Sequence, residues 1–131
     1  MSNPKYERPL SPFMNYRWQY TNTLSILHRA TGCALSVGLL LFVYWLESAA
    51  NGADAYAAAQ AVFAHPVTIV LLVGFSFAFF YHLLNGVRHL VWDAGHGFEK
   101  SKARASGYLV IIGAVALTAM LWFLLVRGGA V

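Results

Sequence analysis

Polar side chains inside an apolar helical run are costly to desolvate, so their types and spacing are informative. Four stand out here: Ser25, Arg29, His82 and His89. Ser25 and Arg29 are four residues apart and share one helix face. His82, Gly86, His89 and Asp93 are spaced four, three and four apart, which again makes one face. A neutral imidazole held in an apolar setting is a good ligand for haem iron. An arginine with a serine one turn away makes a fixed pair of donors for an anionic or carbonyl-bearing molecule. Gly86, one turn beyond His82, leaves room for a flat macrocycle or a neighbouring helix.

Each residue also has a plainer reading. His82 is equally suited to bonding a helix across a bundle. Arg29 has the reach to snorkel to headgroups. Arg88 and His89 read as interfacial groups facing water, with Asp93 orienting His89 or pairing with Arg88. Cys33 reads as inert core, and His65 and His96 as solvated histidines. Gly32 and Ser36 form a small-residue pair suited to helix contact. A six-coordinate haem with two histidine ligands needs two inward imidazoles. This chain offers one at depth, so the other ligand is expected from a second subunit.

The elements that must carry these residues follow from composition. Of 131 residues, 59% are hydrophobic and 11% charged, with a mean hydropathy of +0.57. Soluble domains are about a quarter charged, so an ordinary soluble globule and a disordered chain are both excluded. One cysteine excludes an internal disulfide, a cysteine-based zinc site and a cysteine-ligated iron–sulfur cluster. Residues 30–46, 67–87 and 105–126 contain no Asp, Glu, Lys or Arg. As helices they reach roughly 25, 31 and 33 Å, against a hydrocarbon core of about 30 Å. The first run extends backward through Leu24-Ser25-Ile26-Leu27. The expectation is an all-α integral membrane protein with three transmembrane helices, about 24–46, 66–90 and 105–126, in a single domain of residues 1–131.

The net charge is +4, but the cations cluster at the ends of apolar runs, which favours membrane orientation over nucleic-acid binding. Lys5, Arg8, Arg17 and Arg29 precede or open the first span, and Arg88, Lys100, Lys102 and Arg104 lie between the second and third. The connection between the first two spans carries Glu47 and Asp54 and no cation. The positive-inside rule then places the N-terminus in the cytoplasm and the C-terminus outside. His82 falls about 9 Å inside Arg88 on a regular helix, so both polar faces lie towards the cytoplasm. Trp18, Tyr20, Tyr44, Trp45, Trp92, Tyr108 and Trp122 fall near the span boundaries as an aromatic belt. Residues 1–22 are expected as an extended cytoplasmic arm, residues 54–64 as a short interfacial helix closed by Pro66, and residues 93–106 as a loop. No signal peptide is apparent, and the arm lacks an Arg/Ser-rich, acid-free presequence. These features point to a bacterial inner membrane.

Three motifs make the chain recognisable. Arg-Pro-Leu-Ser-Pro (8–12), Ser-Ile-Leu-His-Arg-Ala-Thr-Gly (25–32) and His-Leu-Leu-Asn-Gly-Val-Arg-His-Leu-Val-Trp-Asp-Ala-Gly (82–95) closely resemble the cytochrome b membrane-anchor subunit of succinate dehydrogenase, complex II. The resemblance covers essentially residues 8–126, in the family's motif order. It departs at Phe13, where many members carry His. It implies half of a heterodimeric anchor bundle in which His82 is the axial ligand to a haem b, with the opposite ligand from a second hydrophobic anchor subunit. It places His28, Arg29 and His89 near the haem propionates, and Ser25 and Arg29 at a ubiquinone site lined by Trp18 and Ile26. Asp93 matches an acidic residue close by.

The implied role is to hold a flavoprotein and an iron–sulfur subunit on the membrane and to complete the quinone pocket that receives electrons from succinate. FAD and iron–sulfur clusters would belong to those partners. The chain would have enzyme status only within the complex. Two other readings stay open: the related fumarate reductase anchor, and a haem-free structural scaffold.

Overall fold

The computed structural model describes residues 11 and 17–129, and the described elements are all helical. They are α1 (Tyr20–Ala50), α2 (Ala53–Phe63), α3 (Pro66–Asp93) and α4 (Lys100–Arg127). At 1.5 Å per residue, α1 is about 46 Å long and α3 and α4 about 42 Å. All three are long and apolar enough to cross a bilayer, as the charge-free runs predict. Only 6, 11 and 17% of their most apolar windows is buried, so their outer faces suit a lipid or protein surround rather than water. Hydroxyls within these helices bond back to their own backbone: Ser36 to Gly32, Ser76 to Leu72 and Thr118 to Ala114. That removes the cost of an unsatisfied donor in hydrocarbon.

Each helix runs beyond the expected span. α4 begins at Lys100, so the expected 93–106 loop shrinks to the short connection after α3. Lys100, Lys102 and Arg104 lie on its first two turns because basic side chains are good helix formers with access to the interface. α3 stops through a left-handed Gly95 (φ 83°). The N–H of Gly95 donates to Trp92 O and that of His96 to Val91 O, capping the final turn. At the other end, α2 stops at Phe63. Pro66 opens α3 rather than merely closing α2: it occupies the first turn, where a missing N–H costs nothing. The expected solvated His65 is exposed, and its Nδ1 caps that turn by accepting the Val67 N–H at 3.3 Å.

α3 packs chiefly on α4 and then on α1. The buried cluster is Leu24, Tyr81, Val110 and Ala114, with Tyr20, Phe77, Phe80, Leu84 and Ile111 around it. Tyr81 is 1% exposed and donates its hydroxyl to Leu24 O at 2.9 Å, joining α3 to α1. Gly107 lets α1 approach α4: a Cβ there would sit 2.6 Å from Leu24 Cδ1 and 2.9 Å from Tyr20 Cε1. Several belt aromatics join helices instead of only facing headgroups. Tyr20 stacks on Tyr108 with centroids 5.0 Å apart, and Trp122 Nε1 donates to Ser76 Oγ. Cys33 is exposed, not core. Of the expected arm, Arg17, Trp18 and Gln19 are extended or irregular and Tyr20 already begins α1. Its first motif and Phe13 lie almost wholly outside the described residues.

A histidine-lined cleft between two membrane helices

The antiparallel run of α1 and α3 brings His28 against His82. Their rings stack with centroids 3.9 Å apart and planes 10° from parallel. His82 Nδ1 lies 3.1 Å from His28 O. A carbonyl only accepts, so Nδ1 carries the ring proton and donates it. Thr31 Oγ1, which itself donates to the carbonyls of Leu27 and His28, lies 3.2 Å from the same nitrogen and shares that proton. The consequence is a fixed tautomer: Nε2 of His82 keeps its lone pair. A backbone acceptor on the distal nitrogen is the usual arrangement behind a metal-ligating imidazole.

Gly32 is what lets the ring lie there, since a Cβ at that position would meet His82 Cε1 at 3.1 Å. His82 and Gly32 line an open cleft of about 960 Å³ together with Leu35, Ser36, Phe75 and Phe79. Its walls are almost wholly apolar. At Gly86 an added Cβ would find nothing within 4 Å, so the backbone there is open to approach, although Gly86 does not line the cleft. Ser25, Arg29, Gly32 and Ser36 follow one face of α1. Ser25 is half-buried and Arg29 exposed, and both lie beyond the residues that line the cleft, towards the N-terminal end of α1. Trp18 is elsewhere: its Nε1 donates to Thr23 Oγ1 at 2.7 Å, and it lines a separate cleft with Tyr20, Phe98, Lys100 and Arg104. Ile26 is exposed on α1 and lines neither cleft.

His89 extends the cluster. It is half-buried, with its ring 5.3 Å from His28 and edge-on to Trp92 at 5.2 Å. His28 Nδ1 is buried and has no hydrogen-bond partner among the described residues.

Arg88 overturns the sequence expectation. It is 7% exposed, not facing water. Its Nε donates to Ser106 Oγ at 2.9 Å, Nη1 to Asn85 Oδ1 at 3.2 Å and Nη2 to Ala103 O at 3.0 Å. The guanidinium also lies 3.9 Å from the Trp92 ring centroid. A buried charge is tolerable only when its donors are met, and α4 supplies two of the three acceptors, with Asn85 of α3 the third. Asp93 is exposed and forms no ion pair with Arg88 among the described residues.

Asn85, 0% exposed, and Thr31 are polar neighbours of His89 and His82 for which the sequence suggested no part. An amide inside a charge-free span was the available signal for Asn85. Arg88→Ala is expected to destabilise the chain by roughly 2–4 kcal/mol, because it takes the donor from three buried or half-buried acceptors and empties an aromatic contact. A lowered thermal midpoint of the detergent-solubilised complex, with α4 opened to protease, is the measurement.

Fold and site together define a three-span helical membrane protein with a tautomer-fixed histidine on an apolar cleft. Residues 4–121 match the family described as succinate dehydrogenase/fumarate reductase transmembrane subunit, and the chain belongs to that family. A "succinate dehydrogenase cytochrome b556 subunit" of Rickettsia conorii is 39% identical over 117 residues, 88% of this chain and 91% of that relative. One from Paracoccus denitrificans is 40% identical over 114 residues, 86% and 88% of the two chains. A mitochondrial "cytochrome b560 subunit" from Sus scrofa is 38% identical over 108 residues, 80% and 64%. The chain is accordingly a multi-pass membrane subunit of this oxidoreductase family, with enzyme status only as part of the complex.

Proposed function

We propose that this chain is half of a bacterial inner-membrane anchor that binds one haem b with a second hydrophobic subunit and admits ubiquinone beside it. The observation that carries the reading is the clamp on His82 Nδ1, which leaves Nε2 with its lone pair for a metal, in a residue that lines an apolar cleft. The names of the relatives, cytochromes b556 and b560, support the same cofactor. Among the described residues no three His, Cys, Asp or Glu side chains converge to hold an ion. His82 would be this chain's ligand and the partner anchor would contribute the other. His28, Arg29 and His89 would meet the haem's acidic edge. When bound, the haem supplies a one-electron carrier near the quinone.

Ser25 and Arg29 would hydrogen-bond the quinone oxygens, with Trp18 and Ile26 as apolar lining that the partner subunits bring closer. Arg29 stabilises negative charge as it grows on those oxygens, the part that fixed donors play in catalysis. The whole cluster lies at the basic, cytoplasmic end of the helices, so protons are at hand and the flavoprotein and iron–sulfur subunits dock nearby. Succinate oxidation is favoured over fumarate reduction by the relatives' names.

The test is a dithionite-reduced minus air-oxidised visible spectrum of the detergent-purified complex. A b-type signal at one haem per copy of this chain is expected. A complex without haem would sink the ligand assignment and leave a structural scaffold.

A further inference from the structure

The Arg88 network has a direction built into it. A guanidinium carries only donors, so the oxygen of the Asn85 amide must face it, at 3.2 Å from Nη1. The other end of that amide, Nδ2, lies 3.4 Å from Nε2 of His89. Nδ2 only donates, so Nε2 must accept, and the ring proton of neutral His89 resides on Nδ1. The amide is not free to flip. Arg88 is tied to Ser106 and Ala103 of α4 and lies over Trp92, and Asn85 is 0% exposed, so water does not compete.

We propose that Asn85 and Arg88 are positioning residues that lock His89 in its Nδ1–H tautomer. The lock runs from α4 carbonyl and hydroxyl oxygens through the guanidinium and the amide to the imidazole. His82 is held in the same tautomer by a different device, the α1 backbone. His82 thus keeps an unprotonated Nε2 and His89 presents a single defined N–H, never a mixture. The consequence for function rests on the haem reading above: Nδ1–H of His89 becomes a preset donor for an acidic group of the cofactor. The tautomer itself does not depend on that reading.

Solid-state NMR of ¹⁵N-histidine-labelled complex in lipid bilayers reads the tautomer directly, with the His89 signals assigned by their loss in His89→Gln. The wild type is expected to show protonated Nδ1 and bare Nε2. In Asn85→Asp the carboxylate only accepts, so the proton is expected to move to Nε2. In Asn85→Leu, of similar size, both tautomers are expected. A protonated Nε2 in the wild type, or an unchanged Nδ1–H in Asn85→Asp, would overturn the proposal. Should Asn85→Asp fail to assemble, Asn85→Leu decides: a mixture supports the lock and a single unchanged tautomer refutes it. Haem content is measured on the same samples. Nδ1–H without haem keeps the lock and removes the cofactor reading, whereas haem with protonated Nε2 does the reverse.

Discussion

Replacing His82 with alanine is expected to abolish the b-type signal in the reduced-minus-oxidised spectrum while the subunits still copurify. The ring contributes little to the buried core: it is half-buried, and its removal empties space beside Gly32 rather than a contact of the Leu24–Tyr81 cluster. Loss of an outer hydrogen-bonding partner alone typically costs about 10–100-fold in metal affinity, so losing the ligand itself should leave no measurable haem. Thr31→Val is the graded control, because the stronger acceptor, His28 O, stays in place. A complex of His82→Ala that retains full haem would show that the iron is held by other residues.

Arg29→Leu is expected to lower succinate-driven quinone reduction by about 100-fold, the usual effect of deleting one preorganised donor. Succinate oxidation with a soluble dye should be spared. Arg29 is exposed in this chain, so its replacement should leave the chain's own folding within about 0.5 kcal/mol of neutral. Arg29→Lys should recover part of the rate, since it keeps the charge but not the planar fork. Parallel loss of both activities would point to an assembly defect and remove Arg29 from the quinone site.

The part of this architecture that could be read along the chain is the part written locally. Charge-free runs announced the three spans, and the i, i+4 spacing of Ser25 with Arg29 and of His82 with Gly86 announced which faces to inspect. The misread residues depend on contacts between helices. Arg88 looked like an interfacial group facing water because nothing near it in sequence discloses that Ala103 and Ser106 will offer it acceptors. Lys100 to Arg104 looked like loop because charge ended the apolar count, although charge does not end a helix. Thr31 was silent for a related reason. A threonine that bonds its own preceding turn is ordinary, and only the arrival of His82 from α3 turns it into part of an acceptor pair. Trp18 and Ile26, named by resemblance as neighbours in one pocket, share no cleft: Trp18 lines one with Tyr20 and Phe98, and Ile26 lines neither.

The bond from His82 Nδ1 to His28 O has a mechanical meaning. The imidazole is anchored covalently to α3 and tethered to the main chain of α1, so it bridges two rigid rods. Rotamer fluctuations of its own side chain are thereby damped. Sliding of one rod along the other is not, because a shear of α1 against α3 turns the ring about its tether. The aim of this nitrogen is therefore an index of helix register, and a packing lesion near Gly38 and Phe75, two turns away, would be felt as a twist of the imidazole.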